Sequence, residues 1–97
     1  MSDTTAIVFD PRGVVEAEAR PLAARPHSLD GLRLAVLDNT KWNAGTLLRG
    51  AARALAGRHA FATVTHYRKE SFARVAAPQV IDAIVADNDI VLTAIGD

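Results

Sequence analysis

Three short apolar runs, separated by two segments with helical periodicity, place the strongest constraint on how this chain folds. The runs cover residues 32–37, 60–67 and 90–95, and the last of them is rich in β-branched side chains. Short apolar runs of this kind are typical of buried strands. The order strand–helix–strand–helix–strand predicts an α/β protein whose strands are joined by right-handed crossovers into a parallel sheet.

The predicted sheet is small. We expect three to four mostly parallel strands with two helices, arranged in two or three layers, and a domain that is incomplete at its C-terminal end. Two helices can cover one face of such a sheet well or both faces thinly. The run at residues 90–95 is the most apolar of the three, so we expect it at the centre of the sheet.

The segments between the runs carry residues that start and stop helices. Asn39, Thr40 and Asn43 precede the first helical segment and are residue types that cap helix N-termini. Gly57 stands where a left-handed glycine commonly ends a helix, and Pro78 suits the first turn of the second helix. The apolar positions at helical spacing are Ala44, Leu47, Leu48, Ala51 and Leu55 in the first helix and Val80, Ile81, Ile84 and Val85 in the second.

Residues 1–31 differ from the rest of the chain and are interpreted as an irregular N-terminal arm. A short strand is predicted over residues 5–9, ended by the turn sequence at residues 10–13. Residues 14–20 fit either a strand or a helix, and Pro21 and Pro26 then interrupt regular structure. We expect the arm to pack on the body, residues 32–97, or on a partner subunit.

Composition narrows the classes of function. Lys plus Arg and Asp plus Glu both number 11, so the net charge is zero, which argues against general capture of nucleic acid or of anionic membranes. No signal peptide or membrane-spanning run is indicated, so a soluble cytoplasmic protein is expected.

The 97 residues include no cysteine, which excludes a thiol nucleophile within them. His27, His59 and His66 lack metal-site spacing, so no metal site is expected.

Polar residues follow each of the three predicted strands. The ends of parallel strands meet at one edge of the sheet, where ligands bind in open α/β folds. A helix N-terminus with nearby cations suits a small anion. Ordinary capping explains residues 39–43 without a ligand, and their residue types leave both interpretations open. For residues 67–71 the residue types favour a solvated connection with an internal ion pair over an anion site. Asp38 and Asp97 are candidate carboxylate bases. The predicted substrate-binding residues are Asn39, Thr40, Lys41, Asn43, Arg68 and Lys69.

Three blocks of the sequence resemble the UGSC family. The first is DNTKWNA at residues 38–44 with LLR at 47–49, the second is YRKESF at 67–72 with AAP at 76–78, and the third is DIVLTAIGD at 89–97. The blocks follow the family's order and span residues 31–97. The family takes its name from a selenocysteine-Gly-Ser-Cys motif, in which Cys replaces selenocysteine in some members. That motif is distantly similar to one in selenoprotein B of the glycine, sarcosine and betaine reductases.

The resemblance implies where the chemistry lies. In the family the motif directly follows the Gly-Asp pair that Gly96 and Asp97 match. The resemblance therefore implies that this chain is the N-terminal portion of a selenol- or thiol-dependent redox or transfer protein, inactive by itself. It also implies that Asp97 borders the nucleophile. No cofactor is expected in these residues, whereas selenocysteine is expected in the full-length protein. The implied partners are a small-molecule substrate or a thiol reductant, and a homo- or hetero-oligomer is compatible with this.

Two other interpretations stay open. In the first, the chain is a non-catalytic α/β binding or partner subunit that holds a small anion at the C-terminal edge of its strands. In the second, it is a self-contained α/β domain that resembles a receiver domain and takes a phosphorylated ligand. A receiver domain needs an acidic cluster, but Asp38 is followed by Asn-Thr-Lys, so the second interpretation is the weaker one.

Overall fold

The computed structural model describes residues 6–13 and 17–96. Five elements follow one another in the predicted order: β1 Arg33–Asp38, α1 Ala44–Ala56, β2 Thr63–Arg68, α2 Pro78–Asp87 and β3 Ile90–Ala94. The three strands form one open sheet in the order β2-β1-β3, and both pairings are parallel. The predicted α/β class with a parallel sheet and two helices is confirmed.

β1 lies at the centre of the sheet, and β3 lies at an edge. The expectation that the most apolar run is central was wrong. The first crossover places β2 on one side of β1, and the second carries the chain over β1 to its other side. Leu34, Ala35 and Val36 are therefore no more than 2% exposed, whereas Val91 in β3 is 51% exposed.

The core lies on the face of the sheet that carries α1. Leu34 and Val36 of β1 pack there with Leu48 and Ala52 of α1, and all four are buried. Paired residues of parallel strands share a face, so Ile90 and the other even-numbered positions of β3 lie on this side too. Ile90, Leu92, Ala94 and Phe61 complete the cluster as half-buried neighbours.

The ends of α1 differ in detail from the prediction. Asn43 is the N-cap residue, as its type suggests, but its backbone is left-handed at φ 67° and its side chain makes no capping hydrogen bond. Gly57 is the C-cap residue, but it has φ −72° in the right-handed region. The left-handed freedom of glycine is therefore not used at the end of this helix.

α2 covers the opposite face of the sheet thinly. It begins at Pro78, as predicted, but none of its residues is buried, and Val85 is 72% exposed. Its end is anchored where Nδ2 of Asn88 donates a hydrogen bond to Oη of Tyr67, 2.9 Å away. Tyr67 pairs with Leu37, so it lies on the face away from the core cluster. Of the two arrangements considered for the helices, the structure adopts one helix on each face.

The arm has no helix or strand in the ranges that the structure describes. The strand predicted over residues 5–9 is absent from residues 6–9, while Thr5 lies outside the described residues. Ile7, Val8 and Phe9 are at least 84% exposed, and a strand without a neighbour to pair with is not stable. Residues 14–16 also lie outside the described ranges, and residues 17–20 form neither helix nor strand. No helix in the described ranges is long and apolar enough to cross a membrane.

An ion pair joins β1 to β3 at the N-terminal end of the sheet. Asp89 accepts hydrogen bonds from the backbone N–H of Arg33 at 2.8 Å and from its guanidinium at 3.1 and 3.2 Å. The Arg33 guanidinium first, and its backbone N–H second, hold the pKa of Asp89 below its ordinary value. The contact spans 56 positions of sequence, so it exists only in the folded chain.

We expect this ion pair to make stability depend on pH in acid. Because folding lowers the pKa of Asp89, its contribution is complete above the ordinary Asp pKa of about 3.9 and is lost as the pH falls through the lower folded value. Urea denaturation followed by circular dichroism gives the free energy of unfolding at each pH. For wild type this free energy should fall as the pH is lowered from about 5 into the acid range. For Asp89→Asn the fall should be smaller, because the ion pair is already absent.

Asp10→Asn is the matched control. Arg12 also lowers the pKa of Asp10, but the two residues are only two positions apart on the exposed arm. A contact that local can persist in the unfolded chain, so the control should keep the wild-type pH profile. Identical profiles for wild type and Asp89→Asn would contradict the prediction.

Candidate functional site

The C-terminal ends of the three strands meet at one edge of the sheet. The backbone N–H of Lys69, just after β2, donates to the carbonyl of Asp38 at 2.9 Å, and the N–H of Asn39 donates to the carbonyl of Ala94 at 3.1 Å. The strand pairings thus continue past β1 on both sides. The loop between β1 and α1, residues 39–43, consequently lies between the other two strand ends.

The 39–43 loop is held in shape by its own polar groups. The N–H of Thr40 donates to Oδ1 of Asp38 at 2.7 Å, and the N–H of Lys41 donates to Oδ1 of Asn39 at 3.0 Å. Thr40 itself has φ 68°, a left-handed conformation that is unfavourable for a β-branched residue. Such strain costs on the order of 1–3 kcal/mol and persists only where surrounding contacts enforce it.

Asn39 joins the loop to the segment after β3. Its Nδ2 donates to the carbonyl of Ile95, and its backbone N–H donates to the carbonyl of Ala94. Its Oδ1 accepts the N–H of Lys41. Both ends of this amide are engaged by backbone groups, so Asn39 links the loop to the segment after β3. The segment that it holds lies directly before Gly96.

Gly45 allows the Asp38 carboxylate to lie against the first turn of α1. A Cβ on Gly45 would lie 3.0 Å from Oδ2 of Asp38 and 3.2 Å from Nη1 of Arg49. Both contacts are tighter than a side chain tolerates without a shift of its neighbours. A carboxylate near a helix N-terminus is favourable because of the helix dipole. The glycine therefore brings an anion, a cation and a helix N-terminus together.

A groove runs between α1 and β2 beside this edge, and we call it the α1–β2 groove. It has a volume of about 360 Å³ and is lined by Val36, Asp38, Gly45, Leu48, Arg49, His66, Tyr67 and Arg68. A second, more polar cavity of about 290 Å³ adjoins it and shares Asp38, Gly45, Arg49 and Arg68. Lys41, Trp42 and Asn43 border only that second cavity. The edge is rich in cations, with Asp38 as the carboxylate among them.

Lys41 is held over an aromatic ring. Its Nζ lies 4.8 Å from the centroid of the Phe72 ring, within the range of a cation–π interaction. This contact connects the 39–43 loop to the segment that follows β2.

A model described as the UGSC family matches residues 7–97. The chain belongs to the UGSC family. The match begins well before the residues at which the three sequence blocks start, so most of the arm is part of the family unit. No curated protein and no solved structure matches the chain.

The predicted site residues of this UGSC-family chain take different positions. Lys41 and Arg68 border the same polar cavity, together with Thr40 and Asn43. Oγ1 of Thr40 donates to the carbonyl of Asn39 at 2.6 Å, so the hydroxyl stabilises the loop. Lys69 contributes its backbone N–H to the sheet edge and has a half-buried side chain. Asp97 lies outside the described residues. Ligand binding by these side chains stays a prediction.

Sequence reasoning did not predict that Arg49 and His66 of this UGSC-family chain line the α1–β2 groove. Arg49 falls on the polar face of α1, where a cation usually indicates no more than solvent exposure. The spacing of four from Gly45 to Arg49 was the available signal, because it places a cation directly over a residue without a side chain. Within the described ranges, no group of three or more His, Cys, Asp or Glu side chains is arranged to hold a metal ion.

We expect Gly45→Ala to be less stabilising than Gly50→Ala in the same helix. A Cβ on Gly50 meets nothing within 4 Å, so Gly50→Ala should raise the free energy of unfolding by about 0.5–1 kcal/mol. Gly45→Ala must displace the Asp38 carboxylate or Arg49 and should give no gain or a loss. Urea denaturation of both variants gives the two values, and equal stabilisation would contradict the close approach at Gly45.

Proposed function

We propose that this chain forms the part of a selenol- or thiol-dependent redox or transfer site that positions the nucleophile and holds the substrate. The nucleophile would be the first residue of the selenocysteine/Cys-Gly-Ser-Cys motif for which the family is named. In the family this motif follows the Gly-Asp pair that Gly96 and Asp97 match. The 97 residues include no cysteine, so by themselves they should be catalytically inert.

This proposal rests on the hydrogen bonds between Asn39 and the segment after β3. Its backbone and side chain fix the carbonyls of Ala94 and Ile95 against the 39–43 loop. Consecutive Cα atoms are about 3.8 Å apart, so the third residue beyond Ile95 lies no more than about 11 Å from it. A nucleophile that follows Asp97 would therefore stay at the edge of the sheet from which the 39–43 loop and α1 also start.

The electrostatics of this edge suit an anionic nucleophile. The N-terminus of a helix carries a partial positive charge, and α1 begins directly after the loop. Nearby cations and helix N-termini lower the pKa of a cysteine thiol from its ordinary value of about 8.5. Lys41 would add to this effect. Asp97 would take up the proton of the nucleophile and return it to the product.

The two motif residues would account for the electrons. The selenolate or thiolate would bond to the substrate and displace a group from it. Attack of the motif's cysteine on the bonded Se or S would then release the reduced substrate and leave a Se–S or S–S bond. A dithiol reductant then cleaves the Se–S or S–S bond and restores both groups. The residues of this chain would bind the substrate, orient the nucleophile and supply the proton.

The coding sequence provides the first test. We expect a UGA or cysteine codon directly after the codon for Asp97, followed in frame by codons for Gly, Ser and Cys. A UAA or UAG codon at that position would contradict the proposal and favour the alternative of a non-catalytic partner subunit. The exposed apolar residues of α2 would then mark the surface that the partner covers.

Asn39→Ala provides the second test, in the extended protein with cysteine as the nucleophile. Loss of the side-chain hydrogen bond of Asn39 should let the thiolate move away from α1 and raise its pKa toward about 8.5. A change of one pKa unit alters the thiolate fraction tenfold at neutral pH. The pH profile of iodoacetamide alkylation measures this shift, which we expect to be roughly one unit.

Gln79→Ala is the control for that experiment, because it removes an exposed side-chain amide from α2 without touching the loop. Its alkylation profile should coincide with that of the parent protein. A profile for Asn39→Ala that also coincides with the parent would remove Asn39 from the proposed site.

A further inference from the structure

The α1–β2 groove exists because α1 does not cover β2. The helix packs on β1 and β3 instead, and its buried residues Ala44, Leu48 and Ala52 face that side. On β2, the residues that share the α1 face are Val64, His66 and Arg68, and all three are exposed. His66 and Arg68 line the groove, and Val64 lies further along the same face of β2.

The groove has an apolar floor and a cationic rim. Val36 of β1 and Leu48 of α1 form the floor and are 1% and 2% exposed. Arg49 projects from the helix, and Arg68 belongs to the strand on the other side. Because these two guanidinium groups come from different elements, an anion between them would touch both walls.

The two arginines have no carboxylate partner in the described part of the chain. Arg49 makes a long hydrogen bond of 3.5 Å to Oγ1 of Thr46, and no ion pair involves either Arg49 or Arg68 there. Asp38 also lines the groove; its Oδ1 accepts the N–H of Thr40, and no ion pair in the described residues joins it to either arginine. A single guanidinium binds a carboxylate through two parallel N–H···O bonds, which makes arginine well suited to recognise this group.

We propose that the α1–β2 groove is a binding site for a small carboxylate with an apolar body. The carboxylate lies between Arg49 and Arg68, and the body lies over Val36 and Leu48. The volume of about 360 Å³ is near the lower limit for ligand pockets, so the body is small. That this groove is the substrate pocket of a redox or transfer site rests on the proposed function. Binding of a carboxylate in the groove can be measured independently of that function.

Both halves of the ligand are needed for this recognition. A purely ionic ligand such as phosphate would bind the two arginines but would make no packing contact with Val36 and Leu48. A neutral ligand of the same shape would pack on Val36 and Leu48 but would leave the two guanidinium groups without an anionic partner. The groove therefore favours an apolar carboxylate over an inorganic anion and over the corresponding amide.

Titration of the ¹⁵N-labelled 97-residue chain tests this inference. Benzoate, benzamide and inorganic phosphate are added separately, and the amide signals of residues around the groove are followed. We expect benzoate to give saturable shifts there and to bind at least about tenfold more tightly than either of the other two. Equal affinity for phosphate would overturn the apolar part of the assignment, and no saturable shift with benzoate would overturn all of it.

Charge-matched variants locate the bound carboxylate. Arg49→Gln and Arg68→Gln should each weaken benzoate binding about tenfold or more, as loss of a charge-assisted hydrogen bond does. Arg58→Gln removes the same charge from an exposed position beyond the end of α1 and should bind as wild type does. An equal loss in Arg58→Gln would show a general effect of net charge and would overturn the assignment.

The outcome is independent of the nucleophile, because the chain used has neither selenium nor sulfur at its reactive position. A failed titration would remove the carboxylate groove and leave the test of the codons after Asp97 unaffected. A contradicting stop codon would remove the redox function, while saturable benzoate binding would still establish the groove.

Discussion

Hydrogen bonding on both sides of β1 determines where the other parts of this molecule lie. β2 pairs along one side from Arg33 to Asp38, and β3 pairs along the other from Leu34 to Asp38. The central strand is covered on both faces, and Ala35 is completely buried on the face away from α1. The 39–43 loop leaves the end of this strand and has a strand end on each side, which is why its backbone can be bonded to both.

Asn39 holds the 39–43 loop in one conformation at that position. A loop of this length is usually free to move, because few contacts hold it. Here the loop is bonded to Asp38, to Ile95 and within itself. The left-handed Thr40 is the conformational cost of this arrangement. Preorganised groups of this kind are what an active site requires, since polar groups that are already in position need no reorganisation during a reaction.

The sequence predicts much of this fold and less of the site. Apolar periodicity identifies all five elements, because burial dictates it. It does not identify the central strand, because the order of the strands depends on the direction of the crossovers and not on apolar content alone. The residue types around Asn43 indicate the start of α1, but not the unused side-chain cap. Arg49 and His66 join the groove only because α1 leans away from β2, and a tertiary offset of that kind leaves no trace in a local pattern.

β3 has a further consequence as an edge strand. One of its sides presents backbone N–H and C=O groups without a neighbouring strand in the described chain, and Val91 adds an exposed apolar side chain. An exposed edge of this kind can pair with a strand of another molecule. When these residues are produced alone, intermolecular β-sheet competes with the native fold, and solubility then depends on concentration. The exposed edge to which another strand could add is therefore also a site for aggregation.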